Sequence, residues 1–235
     1  MRLVQSATSY PAVDTGHIDK VSQMNAYEQL WDYRSRVSEL YRDVRLGHAA
    51  DELAAAQVWS RFRAGRDALF GSHPQSALDT TQKSGFAGLD YFDHDPALRF
   101  QLAIESDVEP GVLEFHLSED GFVRAQRFGR VRFVRDGQAC VLSLFWLLGY
   151  GGGVFLPFRD ATCGRETYGG GRYLLDTIKH ADLGHVGNKI VVDFNYAYNP
   201  SCAYNTRWVC PRAPEENRLA LPIRAGEKLF TGEPA

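Results

Sequence analysis

The segment Phe158–Leu174, FRDATCGRETYGGGRYL, holds the densest set of reactive side chains in the chain. It contains Arg159, Arg165 and Arg172, the carboxylates Asp160 and Glu166, and the hydroxyls of Thr162, Thr167, Tyr168 and Tyr173, together with Cys163 and four glycines. Arginine presents a planar fork that grips a carboxylate or phosphate through two parallel hydrogen bonds. Asp160 and Glu166 are suited to orient such an arginine, or to divide acid and base roles where their surroundings separate their proton affinities. The same set also suits a loop braced internally by arginine–carboxylate bonds.

Eight of the 22 glycines lie between Gly149 and Gly171. Glycine admits positive φ and close backbone approach, so phosphate loops must be considered. A P-loop needs GxxxxGK[ST], and the lysine is absent. A dinucleotide fingerprint needs GxGxxG opening a helix. Counting from Gly149, the sixth residue is Val154, and VFLPF then reads as a strand. Tight turns and bulges between strands are the expected use.

A second polar segment follows. In KIVVDFNYAY, period-two alternation predicts one strand over 189–198. It puts Ile190, Val192, Phe194, Tyr196 and Tyr198 on one face, and Val191, Asp193, Asn195 and Ala197 on the other. With the aromatic face in the core, Asp193 and Asn195, with Asn199 just beyond, meet water or line a polar pocket. Cys202 and Cys210 come next, in NPSCAYNTRWVCP. Their spacing is not the CxxC type that zinc prefers, and no histidine follows His185. Buried thiols acting as small hydrophobes are the expected state. The seven histidines form no HxH or HExxH pattern, and no GxSxG elbow is present. No metal site is expected, and no cofactor motif is visible.

These segments must be held by other elements. Leu30, Tyr33, Val37, Leu40, Tyr41 and Val44 recur at three and four residues, which predicts a helix over Met24–Val44 stopped by Gly47. A second helix is predicted through ADELAAAQVWSRFRAGRDALF, with Leu53, Val58, Phe62, Leu69 and Phe70 as its buried stripe and Pro74 past its end. After Pro74 the period becomes two. LRFQLAIE, VLEFHLS, RVRFV and LALPI alternate, while CVLSLFWLL is apolar on both faces and belongs at a sheet centre. Turn signals at 119–121 and 136–138 sit at hairpin spacing. No helix-length segment separates these strands, so the expected fold is α+β: two N-terminal helices, then an antiparallel sheet or barrel-like β domain. Residues 1–23 carry no clear period and read as a flexible leader. Residues 24–235 read as one domain, helical over 24–72 and β-rich over 85–230.

Bulk properties narrow the field. A net charge of −3 offers no basic nucleic-acid surface. The basic run RFGRVRFVR alternates with apolar residues and reads as a strand with one wet face. No apolar run reaches the ~20 residues of a membrane span, and the first residues lack the apolar centre of a secretion signal. A cytoplasmic protein with reduced cysteines is the expectation.

FLPFRDATCGRETYGGGRYL, then VDFNYAYNPSCAYNTRWVCPRAPEENRLALPIRAGEK, resemble the core of a bacterial and archaeal family known only as a domain of unknown function, number sixteen eighty-four. Upstream, WSRFRAGRDALFGSHPQSAL and FAGLDYFDHDPALRF resemble the same family's entry region, so the resemblance covers roughly Tyr27 to Leu229. It carries over no catalytic residue. It does mark shared polar positions, which favours a polar pocket over a purely apolar core motif.

The leading expectation is a site for a small polar or anionic molecule between the 158–174 loop and the 193–211 segment, with acid–base catalysis left open. Its ligand-binding candidates are Asp160, Thr162, Glu166, Thr167, Tyr168, Arg172, Tyr173, Asp193, Asn195, Tyr198 and Asn199. Arg172 would hold an anionic or carbonyl group, and Tyr168 and Tyr198 would offer flat surface with a polar tip. One alternative is an interaction or structural module whose polar motifs form an internal hydrogen-bond network and whose helical half pairs with a second copy. Another is a thiol redox sensor using Cys202 and Cys210.

Overall fold

The structure, a computed structural model, describes residues 21–47, 52–117 and 121–232. Helix α1 spans Ala26–Gly47 and α2 spans Glu52–Ser72. Asn25 starts α1. Its side-chain oxygen accepts the amides of Tyr27 and Glu28 (3.0 and 3.1 Å), while Glu28 reaches back to the Asn25 amide at 2.9 Å. This reciprocal cap satisfies amides that have no partner inside the helix. The helices pack against each other, with Tyr41 edge-on to Phe62 at 5.1 Å. Val58, Phe62, Leu69 and Phe70 are buried as the spacing predicts, but Leu53 is 71% exposed. Leu53 lies in the first turn of α2, ahead of the stretch where α2 meets the rest of the core. A short helix α3, Thr80–Ser84, is capped by Asp79 and Gln82.

Among the described residues eight strands follow: β1 Arg99–Ala103, β2 Val112–His116, β3 Phe122–Arg135, β4 Gln138–Leu147, β5 Gly153–Phe158, β6 Arg172–Asp176, β7 His185–Val186 and β8 Lys189–Asp193. They form a five-stranded sheet, β2-β3-β4-β5-β6, and a three-stranded sheet, β1-β8-β7, all antiparallel. The fold is α+β, and the sheets do not close into a barrel. β4 is the middle strand of the larger sheet, as its two apolar faces require; Leu142, Leu144 and Phe145 are fully buried. The β3–β4 hairpin turns at Asp136-Gly137, both at positive φ (50° and 73°), the conformation that suits the right-handed twist of paired strands. The other turn expected, at 119–121, falls largely outside the described residues. In β3, Val131 and Phe133 face inward, while Arg130 and Arg132 reach Glu105 outside (2.6 and 3.0 Å). The basic run is therefore a half-wet strand. Phe100 of β1 packs against Phe133 of β3 with ring centroids 4.7 Å apart, which joins the two sheets through one core.

Two expected strands differ. LALPI keeps its alternation in burial, with Leu219, Leu221 and Ile223 inside, yet forms no strand. Its neighbour is the 158–174 loop, which offers scattered partners rather than a ladder. KIVVDFNYAY is a strand only as far as Asp193. There the carboxylate accepts the Asn195 amide at 3.0 Å and turns Phe194–Tyr196 into a 3-10 helix. Phe194, Asn195, Tyr196 and Asp193 are all buried, so the strand's two faces are not split into wet and dry.

Candidate functional site

The loop between β5 and β6 folds back on its own polar groups. The Thr162 carbonyl accepts the amides of Arg165, Glu166 and Thr167 (3.1, 3.0 and 3.2 Å). The Thr162 hydroxyl donates to Asp160 at 2.7 Å and pairs with the Thr167 hydroxyl at 2.8 Å. The other Asp160 oxygen accepts the Ile223 amide and lies 3.5 Å from the Arg172 guanidinium. Arg172 is wholly buried. It donates to the carbonyls of Ile223 (2.9 Å), Ala225 (2.5 Å) and Glu227 (3.1 Å), over the ring of Phe158. Burial lowers its proton affinity and the facing Asp160 opposes that. Arginine nevertheless keeps its charge in proteins, and this one serves as a cross-brace between the loop and the 223–227 segment.

Gly171 explains part of the glycine cluster. It has φ +94°, and a Cβ there would stand 2.6 Å from the Phe158 carbonyl oxygen. The loop can return beside β5 only because that atom is missing.

A second buried hub centres on Glu227, which is 1% exposed. Its carboxylate accepts from Arg66, from the hydroxyls of Tyr91 (3.0 Å) and Tyr204, and from the Asn199 amide (2.9 Å). Burial disfavours the Arg66 charge, yet Glu227 and the adjoining tyrosines hold its proton affinity well above the ordinary arginine value. Asn199 also donates to the Lys228 carbonyl at 2.7 Å. Asn195 donates to the Asp95 carbonyl and to Asp193, and accepts the Asp95 amide (2.9, 2.8 and 2.9 Å). Burial lifts the Asp193 carboxyl to about 6; the Asn195 hydrogen bonds and the Arg99 charge oppose this. Asn217 ties β4 to β5 through Ser143 and the Pro157 carbonyl.

The structure thus joins Asp160, Thr162, Thr167 and Arg172 into one network, and Asn199 to the Glu227 hub. Asp193 and Asn195 form a third group near Asp95. Glu166 lies at the surface and grips Arg224 with two bonds of 2.9 Å. Tyr173 donates to the Pro211 carbonyl and meets the Tyr198 ring edge-on at 5.7 Å. The Tyr168 hydroxyl contacts the Cys202 sulfur at 3.5 Å. The two polar segments do meet, but chiefly through each other's backbone, and most of their candidate side chains are buried. Arg63, Arg66 and Tyr91 were not among the residues singled out by spacing. A signal existed for Arg66: it sits four residues after Phe62 and three before Leu69, inside the apolar stripe of α2.

An open cavity of about 530 Å³ lies beside the Glu227 hub, between α2, α3 and the 230–232 segment. On its wall the Arg63 guanidinium lies over two rings, 4.8 Å from the centroids of both Trp59 and Tyr91, which meet each other edge-on. Its Nε is enclosed with no hydrogen-bond partner. Both rings are anchored to the network: the Trp59 indole donates to the Asn195 carbonyl at 3.2 Å, and Tyr91 donates to Glu227. Asp67, Asp90, Gln82, Phe86 and Phe230 also line the space. Asp67 accepts the Leu89 amide at 2.9 Å, and burial raises its proton affinity. Among the described residues no group of three or more His, Cys, Asp or Glu could hold a metal ion, and no helix is long and apolar enough to cross a membrane.

An α+β scaffold with a buried polar frame behind an open cavity defines the class, and the comparisons with known proteins place the chain within it. Residues 84–228, more than half of the chain, match the family described as "Protein of unknown function (DUF1684)". The chain belongs to that family. The solution NMR structure of an uncharacterised protein of Haloarcula marismortui is similar, with 34% identity, 73% of this chain and 92% of that chain covered, and a TM-score of 0.52. No curated protein matches the chain.

Proposed function

We propose that this protein binds a small polar molecule carrying both a carboxylate and an amine, in the cavity beside α2 and α3. The observation that carries the reading is Arg63: a cation set over two aromatic rings on the cavity wall, its enclosed Nε without a hydrogen-bond partner. An arginine held this way has lost little freedom still to lose when it meets a carboxylate. The lining adds two carboxylates, Asp67 and Asp90, to that one cation. A purely anionic ligand would be repelled by them, whereas an ammonium group would be drawn to them. Phe86 and Phe230 offer apolar surface for the rest of the molecule, and the volume lies in the usual range for small-molecule sites.

On this reading the two polar family segments supply the frame behind the cavity. Asn195 and Glu227 hold the rings that hold Arg63. Arg172 and Asp160 lock the segment that delivers Glu227.

The test is a thermal-shift screen of the standard free amino acids at millimolar concentration, followed by calorimetry on any compound that stabilises the protein. Binding should be lost or fall at least about tenfold in Arg63→Gln, roughly the loss of one charge-assisted hydrogen-bond pair. Native mass spectrometry of the protein as purified should show whether such a molecule is retained. No shift with any zwitterion and a bare mass, or binding that is unchanged in Arg63→Gln, would overturn the reading.

A further inference from the structure

The Cys202–Cys210 pair lies apart from this cavity, and its surroundings differ from those of a packed thiol. Cys140 is buried, whereas Cys202 and Cys210 are partly exposed. Cys202 opens toward the loop from a short 3-10 turn, Ser201–Ala203. Its backbone amide donates to the Cys210 sulfur at 3.4 Å, and the Tyr168 hydroxyl touches the Cys202 sulfur at 3.5 Å. Two polar contacts therefore converge on two neighbouring sulfurs where the two family segments meet. The loop between them is pinned at its middle: Arg207 and Trp208 donate to the carbonyls of Ser76, Ala77 and Leu78. That keeps both cysteines in place without tying up either sulfur.

We propose that Cys202 and Cys210 form a dithiol oxidised by hydroperoxides, in which Cys202 reacts first and Cys210 resolves it to an intramolecular disulfide. The Cys202 thiolate attacks one peroxide oxygen. An S–O bond forms, the O–O bond breaks, and the departing oxygen leaves as water (or alcohol) after taking a proton. Cys202 becomes a sulfenic acid. The Cys210 sulfur then attacks the Cys202 sulfur, the S–S bond forms, the S–O bond breaks, and the second water leaves with the Cys210 thiol proton. Two thiols lose two electrons in total, and one peroxide gains them.

The electrostatics agree with this order. The hydrogen bond from the Cys210 thiol, with lesser help from Tyr168 and the Arg212 charge, holds Cys202 down to about 6 against the effect of its burial. The same hydrogen bond raises Cys210 above the ordinary thiol value. One sulfur is thus a thiolate near neutral pH and the other stays protonated until it is needed. An attacking thiol works best when its proton affinity matches the ambient pH.

The experiment is titration of the folded protein with hydrogen peroxide, read by intact mass and thiol counting. Reactive thiols should fall from four to two, with a mass loss of about 2 Da for the disulfide and a cross-linked peptide joining Cys202 to Cys210. Cys202→Ser should show no mass loss. Cys210→Ser should accumulate a Cys202 sulfenic acid that dimedone traps. Circular dichroism of both variants separates misfolding from chemistry, and alkylation of Cys202 in the wild-type protein, half-maximal near pH 6, is a readout that needs no variant. The proposal is overturned if the peroxide-treated protein keeps four thiols, if the cross-link joins another pair, or if Cys202→Ser is oxidised like the wild type.

Discussion

Replacing Arg172 with methionine keeps most of the side-chain volume and deletes the charge. Three backbone carbonyls, of Ile223, Ala225 and Glu227, lose their donor inside a site with no solvent exposure. Asp160 loses the cation 3.5 Å away but keeps Thr162, Cys163 and the Ile223 amide. Breaking a buried pair by removing one partner costs about 3–5 kcal/mol. The remaining contacts to Asp160 argue for the middle of that span, about 4 kcal/mol. For a domain whose total stability is of order 5–15 kcal/mol this is a large fraction. At roughly 2–4 °C per kcal/mol for a chain of this size, the melting point should drop by about 8–16 °C. Urea denaturation followed by circular dichroism gives the free energy, with an unchanged slope expected if the native state stays compact. Asp160→Asn on the Arg172→Met background removes the stranded charge, so the double variant should cost less than the sum of the two singles by at least about 1 kcal/mol. A loss below about 1 kcal/mol for Arg172→Met, with the slope unchanged, would refute the brace and return Arg172 to the list of ligand-facing residues.

Asp193 makes a pH prediction. Burial lifts its carboxyl from 3.8 to about 6 in the folded protein, so between those values the folded chain holds a proton that the unfolded chain has released. Its contribution to stability is full below pH ~4 and is lost as pH rises through 6, a cost of about 3 kcal/mol at neutral pH. Asp193→Asn removes the titration while keeping an oxygen to accept the Asn195 amide. The stability of the variant minus that of the wild type should grow between pH ~4 and pH ~6, with a midpoint near pH ~5, and level off above that; a flat difference in parallel urea titrations would sink this assignment. Gly171→Ala should cost about 1–3 kcal/mol in thermal unfolding, because the position has positive φ and its Cβ would meet the Phe158 carbonyl. Gly85→Ala, where a Cβ meets nothing within 4 Å, should stay within about 0.5 kcal/mol, and equal losses at the two sites would contradict the steric argument.

What could be read from residue order was the local part. The helices over 26–47 and 52–72 follow from a spacing of three and four, and β1, β3 and the central place of β4 from alternation or its absence. Such periods arise within one element, because one face of a helix or strand meets the core. LALPI marks the limit: alternation told which of its side chains are buried, but a strand also needs a partner's ladder, and the adjoining loop has none to offer. KIVVDFNYAY failed at Asp193 for a related reason, since a carboxylate that bonds its own backbone competes with the strand. The polar residues of 158–174 were recognisable as a group, yet their chemistry depended on distance. Arg172 reads equally well as ligand anchor or brace until the carbonyls 51 to 55 residues away are placed around it. Arg66 and Glu227 are 161 residues apart, and no period links them. Arg63 lies one helical turn after Trp59, a spacing visible in the sequence, but only folding brings Tyr91 to its guanidinium. Burying a charge requires partners from wherever the chain can bring them, and that matching is a property of the packed molecule, which is why the elements were legible in the order of residues and the sites only in three dimensions.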